Sequence, residues 1–442
     1  MPAFAILKKH TANWIASLAL VGLVSCSEST LDVKSEQATA DTAAAQSPAE
    51  IHAETLVIDA HADIVIPSTS RSYISDNGTS KVSEDKLRLG GVDAVVMSIA
   101  VGPGPRTAEG DAAARAEADE KLAAVNELVE GSGGSVVIAR TVAEIEVAHN
   151  NNQSALILGF QNARSLQGNI SAIDEFYQSG VRIFGLNHLG HNDFSDSSRP
   201  NFDGETGVYE VREEHHGLSA LGVTAVERIN LLGAVVDISQ LSRAAAIQAI
   251  RNSATPVIAS HSNVKSISDV TRNLSDEEID LIGNTGGVIH VAAFKAYLLN
   301  ISEPDFIADL KALRREAGIS EEYNYPFELY WEIEDPAKAS AFIAAASELM
   351  GPATVDHMLD HVDYIVERIG IDHVGIGNDF NHGSGIDGYD DAREAANITS
   401  GLLERGYSKS DIAKIWGGNF LRVLETAAQN RSVNQAGNNR GL

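Results

Sequence analysis

The chain has 442 residues, enough for one large domain or two ordinary ones, and its 44% hydrophobic and 21% charged residues are typical of a globular protein. Its formal net charge of −28 argues against a nucleic-acid partner, because phosphate binding depends on lysine and arginine. The same negative charge argues against electrostatic docking on anionic membranes.

The first 26 residues resemble a bacterial lipoprotein signal peptide. Basic residues at 8–10 precede the apolar run TANWIASLALVGLVS, which is too short for a comfortable membrane span. Cys26 is the only cysteine of the chain and follows this run directly, where such signals carry the cysteine that is lipidated after cleavage. An ordinary signal peptide with an unrelated cysteine is the alternative. We expect a protein of the bacterial cell envelope, attached to the membrane by its lipid anchor alone. Ser27, rather than aspartate, favours the periplasmic face of the outer membrane.

Two polar segments bound the predicted folded domain, which covers residues 51–430. Residues 27–50 are rich in serine, threonine, alanine and acidic residues and have no apolar period, which is typical of a flexible tether. Residues 431–442 have a similar composition, and they are predicted to be a disordered tail.

Eight short apolar runs within this domain are predicted to be strands. Most are rich in valine and isoleucine with little alternation, as in parallel strands that are buried on both faces. In chain order the runs are TLVIDAHAD (55–63), GVDAVVMSIAV (91–101), SALILGFQNA (154–163), GVRIFGLNHLG (180–190), GAVVDISQLS (233–242), TPVIASHSN (255–263), GGVIHVAAF (286–294) and DHVGIGNDF (372–380).

Amphipathic helical patterns lie between these runs, and one of them begins with a capping box formed by Ser275 and Glu278. The alternation of strand and helix about eight times over about 375 residues predicts an α/β fold, a (β/α)₈ barrel of the TIM type. An open doubly wound sheet is the alternative, but no glycine-rich phosphate turn follows the first strand. The predicted helices cover 112–131, 170–180, 221–233, 241–253, 275–287, 355–370 and 408–427.

Residues 300–353 are predicted to be an insertion after the seventh strand. Within them, EEYNYPFELYWEIED (321–335) is both aromatic and acidic. Loops on this face of a barrel often form lids or substrate walls. Aromatic residues also concentrate at protein interfaces, so this segment could equally form the surface of a homodimer.

Polar residues stand at the ends of most predicted strands, where catalytic groups of such barrels gather. His61 and Asp63 lie two apart on the first strand and therefore point to the same side, which suits a shared divalent metal. A single polar strand end is commonly a structural hydrogen-bond partner. Such groups at so many ends would be costly to bury unless they bind something. The others are Gln161, Asn162, Asn187, His188, Asp237, Gln240, His261 and Asp379.

Six motifs in order resemble the renal (membrane) dipeptidase family, peptidase family M19, a branch of the metal-dependent amidohydrolase barrels. IDAHAD is similar to the DxHxD opening of that family, and HVGIGNDFNHGSG to its hvgiGsDfDG segment. The resemblance covers about residues 55–427. The other motifs that carry it are GVRIFGLNHLGHNDFSDSS, HGLSALGVTAVERINLLGAVVDISQLS, PVIASHSNVKSISDVTRNLSDEEI and IWGGNFLRVLE.

The resemblance implies a dinuclear zinc site that cleaves dipeptides. His61 and Asp63 would bind the first metal, a glutamate on the third strand would bridge both, and histidines on strands five and six, the latter His261, would bind the second. It further implies that His188 and Arg272 hold the substrate carbonyl and carboxylate. In the same comparison, Asp379 handles the proton.

Two implied ligands are absent, because Gln161 stands at the position of the bridging glutamate and Gln240 at that of the fifth-strand histidine. An amide oxygen is a poor zinc ligand beside imidazole or carboxylate, and both glutamines count only as weak ligands. We therefore predict one zinc ion rather than two, with two ions or none as alternatives.

The predicted function is that of a metal-dependent dipeptidase acting on dipeptides or related small amides outside the cytoplasm. A mononuclear amidohydrolase or tailoring enzyme with another substrate is one alternative, and a non-catalytic binding homologue is another.

Overall fold

A computed structural model describes residues 46–203, 207–321, 333 and 335–438. The predicted signal peptide with Cys26, the tether up to residue 45, and residues 322–332 and 334 of the aromatic segment lie outside the described residues.

Eight parallel strands form a nearly closed barrel, which confirms the predicted (β/α)₈ architecture. Each strand lies within one of the eight predicted runs, and neighbours along the chain pair in sequence order. The strands are β1 (Ile58–Asp63), β2 (Ala94–Ala100), β3 (Ser154–Gln161), β4 (Val181–Gly185), β5 (Val235–Asp237), β6 (Ile258–Ala259), β7 (Val288–Val291) and β8 (Val374–Ile376).

The barrel closes between the residues that follow β8 and the end of β1. A parallel bridge joins Ala62 to Phe380. The Asp379 N–H donates to the His61 carbonyl at 2.9 Å, and the Asp63 N–H donates to the Phe380 carbonyl at 2.8 Å. This closure places the end of β1 beside the segment that follows β8.

Three further short strands were not predicted. Val136–Ile138 pairs with β3 outside the barrel order. Phe202–Asp203 and Val208–Tyr209 pair antiparallel in the long loop after β4.

The predicted helices are all present, and the capping box of Ser275 and Glu278 is confirmed. A π-helical turn, Lys414–Gly418, interrupts the last long helix. The α-helices are Pro48–Ala53, Glu84–Gly90, Ala108–Gly131, Val142–Asn150, Ala172–Ser179, Ala220–Leu232, Arg243–Asn252, Asp276–Asn284, Lys295–Leu298, Pro304–Ala317, Pro336–Met350, Val355–Ile369, Ala395–Glu404, Lys409–Ala413 and Asn419–Asn438, and the 3₁₀ helices are Ala163–Leu166, Ile371–His373 and Ala392–Glu394.

The helices differ from the prediction at both ends of the domain and in the insertion. The first begins at Pro48, inside the predicted tether, and the last extends to Asn438, into the predicted tail. The insertion contains Pro304–Ala317 and Pro336–Met350, which bury Leu310, Phe342 and Ala346 in a small separate core.

The barrel strands are buried on both faces, as their continuous apolar runs require. Every residue of β1 and β2 is buried, so their side chains fill either the barrel interior or the layer beneath the helices. Among the described residues, no helix is long and apolar enough to cross a membrane.

A substitution of Gly377, which directly follows β8, tests the packing beneath the carboxyl rim. A Cβ atom there would lie 1.9 Å from the Ser260 carbonyl oxygen, which is backbone and cannot rotate away. We expect Gly377→Ala to lower the free energy of unfolding by about 1–3 kcal/mol, as overpacked cores do. Urea denaturation measures this. The control is Gly131→Ala, where nothing lies within 4 Å of the added Cβ; equal stability of the two variants would contradict the packing argument.

Candidate metal centre and active site

The polar side chains predicted from the strand ends gather at the carboxyl rim of the barrel. None of them is more than 6% exposed, so they form a buried cluster rather than a solvated surface. The members of this rim cluster that were predicted as site residues are His61, Asp63, Gln161, His188, Gln240, His261, Arg272 and Asp379.

Three of these residues could share one ion. Ligand atoms of His61, His261 and Asp379 all lie within 4.8 Å of one another. The His61 Nε2 atom lies 3.4 Å from Asp63 Oδ1 and 3.8 Å from Asp379 Oδ1. The imidazole rings of His61 and His261 stack with centroids 3.8 Å apart. The structure thus brings together His61, which the resemblance assigns to the first metal, His261, which it assigns to the second, and Asp379, which it assigns to proton transfer. They come from β1, from the residues after β6 and from the segment after β8.

Backbone conformation directs two of these side chains inward. Asp379 and Gln240 have φ angles of 62° and 74°, in the left-handed region that non-glycine residues seldom adopt. Such strain persists where surrounding structure determines it. The hydrogen bond from the Asp379 N–H to the His61 carbonyl is one such restraint.

Burial and charge perturb the acids and bases of the cluster in different directions. Burial lowers the pKa of His61, but contact with Asp63 and the charge of Asp379 outweigh it and the net shift is upward. Burial raises the pKa of Asp379. Burial also opposes ionisation of Asp63, yet its contacts with His382 and His61 hold the pKa of that carboxyl well below its usual range.

His261 lies at the centre of a hydrogen-bonded chain. Its Nε2 atom is 3.3 Å from the amide nitrogens of both Gln161 and Gln240. Its Nδ1 atom is 2.7 Å from Ser260 Oγ, and the Ser260 hydroxyl donates to Asp237 Oδ2 at 2.5 Å. Burial lowers the pKa of His261 well below its ordinary value, so this imidazole is neutral.

His188 connects the cluster to a cavity of about 400 Å³. Its Nε2 atom is 3.3 Å from Nε2 of His382, whose Nδ1 is 3.0 Å from Asp63 Oδ2. Burial holds the pKa of His188 well below its ordinary value. Residues that line the cavity include Asp63, His188, His382, Tyr73 and Arg199.

Arg272 is buried beside the cluster and is not a surface residue. Its Nη1 donates to Ser262 Oγ at 2.9 Å and its Nη2 donates to the His261 carbonyl at 2.5 Å. Its guanidinium lies 5.3 Å from the centre of the Tyr297 ring. These contacts fix its position, and the cavity described above is lined by Arg199 rather than by Arg272.

The structure adds site residues that the sequence did not single out. His382, three residues after Asp379, holds Asp63, and Arg199 donates to Gln240 Oε1 at 2.8 Å. Proximity to Asp379 in the chain is a signal that could have found His382. Arg199 lies in the loop after β4, whose course the sequence does not reveal.

Several other histidines and amides serve the fold. In β7, His290 Nδ1 is 3.0 Å from the Ala259 carbonyl, and the ring packs on Phe420 rather than joining the ligand cluster. His361 is buried between the Val264 N–H and the Leu298 carbonyl. Asn162 and Asn187 donate to loop carbonyls, so they orient the rim loops.

The side chains at the first metal position fit a divalent ion. Buried and without hydrogen-bond partners among the described residues are His61 Nε2, Asp63 Oδ1 and Asp379 Oδ2. Leaving such atoms unpaired is costly unless they bind something, and an imidazole with carboxylates is a ligand set that zinc accepts.

The side chains at a second metal position do not fit a divalent ion. There Gln161 and Gln240 direct amide nitrogens, which carry protons and no available lone pair, at His261.

Comparison with known proteins identifies similar chains. The family described as membrane dipeptidase (peptidase family M19) matches residues 45–438. Dipeptidase tcpJ of Claviceps purpurea is 29% identical over 271 residues, which are 61% of this chain and 50% of that protein. Dipeptidase verJ of Clonostachys rogersoniana is 25% identical over 355 residues, 78% of this chain and 75% of that one. The chain spans about half the length of the first curated relatives that it matches.

A comparison with solved structures also identifies similar chains. The probable dipeptidase PvdM from Pseudomonas aeruginosa superposes with a TM-score of 0.77 and 32% identity, over 87% of this chain and 98% of that one. A metallo peptidase from Rhodobacter sphaeroides, liganded with a phosphinate mimic of the dipeptide L-Ala-D-Ala, has a TM-score of 0.64 at 20% identity, over 85% and 100% of the two chains. At that identity the second likeness shows the fold alone.

Removal of one predicted ligand tests the metal position. We expect His61→Ala to weaken zinc binding by more than about 100-fold, since loss of even an outer partner of a ligand commonly costs 10–100-fold. Zinc titration of the metal-free protein, with bound zinc counted by elemental analysis, measures this. His216→Ala is the matched control, because the His216 side chain is 84% exposed. Unchanged zinc affinity in His61→Ala would show that the ion binds elsewhere.

Proposed function

The chain belongs to the membrane dipeptidase family, peptidase family M19, and from that premise we propose that it is a metal-dependent hydrolase of dipeptides or related small amides. The observation that carries this proposal is the buried group of His61, Asp63 and Asp379, whose unpaired atoms converge beside a cavity. The cavity of about 400 Å³ is within the range of small-molecule sites.

One zinc ion is the cofactor that the donor set supports, and His61, Asp63 and Asp379 are the residues that would hold it. Such an ion, when bound, supplies an acidified water and a polarised carbonyl.

Asp379 is the proposed proton carrier. One of its oxygens, Oδ1, faces His61, while Oδ2 has no hydrogen-bond partner among the described residues. Burial raises the pKa of this carboxyl, which brings it closer to the working range of a general base. Asp379 can therefore take a proton from the attacking water and deliver it to the leaving amine.

His188 is the proposed donor to the oxygen of the scissile carbonyl. Its ring is neutral because burial lowers its pKa, so one ring nitrogen carries a proton and the other does not. An N–H that is fixed in a buried site stabilises an oxyanion more strongly than water does. The motif resemblance gives Arg272 the role of holding the substrate carboxylate. Two contacts fix its guanidinium and leave Nε without a partner among the described residues, and Arg272 lies behind the cavity wall that Arg199 lines.

A direct assay of dipeptide cleavage tests this function. We expect the zinc-loaded protein to release free amino acids from a panel of dipeptides, and a chelator to abolish this reversibly. We expect Asp379→Asn, assayed at saturating zinc, to lower kcat by about 10²- to 10⁴-fold, the usual contribution of a general base. Asp193→Asn, an exposed aspartate on the loop after β4, is the control. A zinc-loaded protein that cleaves no dipeptide would refute the proposal.

Gln161 and Gln240 support a second candidate, an enzyme of the same barrel that acts on another substrate with one ion. The double substitution Gln161→Glu with Gln240→His distinguishes the two functions. Enhancement of an existing dipeptidase activity favours the first function. Creation of an activity that the native chain lacks favours the second, and a chain that binds no metal in either form would be a binding protein.

We further propose that the protein is held in the bacterial envelope by a lipid on Cys26, with its site on the periplasmic face of the outer membrane. The support is the apolar run that ends in LVSC, with the only cysteine at its end. Self-association into a homodimer also remains a prediction.

Substitution of Cys26 tests the anchor. We expect the native chain, produced in a bacterium fed labelled palmitate, to be labelled and to sediment with membranes. Cys26→Ser removes the only thiol, so we expect that variant to lack the label and to leave the membrane fraction. Ser29→Ala serves as the control in the same segment. A Cys26→Ser protein that still carries the label would contradict lipidation at this residue.

A further inference from the structure

The loop after β4 holds Arg199 in a defined position at the rim. The Arg199 N–H donates to Ser197 Oγ at 3.2 Å, and its carbonyl accepts from the Gly190 N–H at 2.9 Å. The neighbouring Ser198 N–H donates to the Gln240 carbonyl at 2.8 Å, which attaches the loop to the end of β5. The Arg199 side chain is buried, with the residue 7% exposed, and it lines the cavity.

Arg199 sets the orientation of the Gln240 amide. Its Nη2 donates to Gln240 Oε1 at 2.8 Å, so the oxygen of that amide faces the guanidinium. The amide nitrogen therefore faces the other way and lies 3.3 Å from His261 Nε2. Gln161 directs its own amide nitrogen to the same atom at the same distance.

His261 is arranged to accept these amide protons. Its Nδ1 faces Ser260 Oγ at 2.7 Å, and the Ser260 hydroxyl is already donated to Asp237 Oδ2. The proton between His261 and Ser260 must therefore come from Nδ1, which leaves Nε2 with a lone pair. The two glutamine amide N–H groups point at that lone pair. A second metal ion would need the same lone pair to bind His261.

The charges at this side of the rim also disfavour a second dication. Asp63 and Asp379 lie beside His61. The third carboxylate of the rim, Asp237, is engaged by the Ser239 and Ser260 N–H groups and by the Ser260 hydroxyl. The groups that face His261 Nε2 are the neutral amides of Gln161 and Gln240, and the Gln240 amide accepts from the guanidinium of Arg199. Like charges repel strongly in a buried, poorly polarisable site.

We propose that the Arg199–Gln240 pair takes the place of a second metal ion. The two glutamine amides occupy His261 Nε2, and the guanidinium supplies a permanent positive charge at the edge of the cavity. The site thus binds one metal ion and holds one arginine where a second ion would be. This inference rests on the proposed function only in one respect, that a metal ion occupies the first metal position.

Metal stoichiometry tests the proposal without any assay of activity. The full chain is stripped with a chelator, reloaded with excess zinc, desalted, and analysed for zinc per chain. We expect one zinc in the native protein and one in Gln161→Glu/Gln240→His, because Arg199 still opposes a second ion. We expect the count to rise toward two when Arg199→Met is added to that pair, and to stay near one when Arg199→Lys is added instead.

Two zinc ions in the native chain, or in the double variant with Arg199 intact, would overturn the proposal. A triple variant that is folded by circular dichroism but still binds one ion would also overturn it. If the triple variant does not fold, the native and double-variant counts decide alone. Failure of the proposed function can be distinguished from failure of this proposal. In the first case the zinc counts stay as expected while no dipeptide is cleaved.

Discussion

The closure of the barrel between its last and first strands is the constraint on which the site depends. Two backbone hydrogen bonds make this closure, from Asp379 to the His61 carbonyl and from Asp63 to the Phe380 carbonyl. Three of the four residues in these bonds, all except Phe380, are the ones whose side chains form the proposed ligand group. The distances between His61, Asp63 and Asp379 are therefore set by the same backbone contacts that complete the fold, and the fold supplies the preorganisation that a metal site requires.

Two buried carboxylates beneath the rim, Asp237 and Asp59, are paired with hydrogen-bond donors, in contrast to the unpaired ligand atoms above them. Asp237 accepts the N–H groups of Ser239 and Ser260 and the Ser260 hydroxyl. Burial raises the pKa of Asp59 to about 6, against the opposing effect of hydrogen bonds from Asn378. Because desolvation is costly, the unpaired atoms of His61, Asp63 and Asp379 store an unfavourable free energy that cation binding would relieve.

The barrel and the gathering of polar side chains at its rim could be predicted because both follow from local patterns in the sequence. Continuous valine- and isoleucine-rich runs identified the eight strands, and the rule that catalytic groups lie at strand ends located His61, Asp63, His261 and Asp379. Residues whose role depends on the course of a loop could not be found in this way. Arg199 reaches Gln240 only because the loop after β4 folds back onto the end of β5.

The sequence also failed to predict several strands and helices, because their residues show no strong apolar period. The edge strand Val136–Ile138 is too short to stand out from its surroundings, and the helices Pro304–Ala317 and Pro336–Met350 bury only a small core of their own. The final helix continues to Asn438 through residues whose polar composition suggested a tail, so composition alone was a poor guide there. Helix propensity carried forward from a well-packed start accounts for this extension.

The two glutamines are better understood as parts of a different arrangement than as defects in a dinuclear one. A histidine at position 240 alone would remove the Oε1 that accepts from Arg199, and a glutamate at position 161 alone would place a new carboxylate near His261 without a second ion to neutralise it. The Gln240 amide accepts from a guanidinium through its oxygen and faces an imidazole with its nitrogen, whereas a carboxylate has no proton to donate to that imidazole. Because a guanidinium stays protonated throughout the physiological range, the charge that Arg199 supplies does not vary with metal supply. That charge also acts with burial and His382 to keep the pKa of His188 low, so the arginine that replaces an ion helps to keep the neighbouring imidazole a neutral donor.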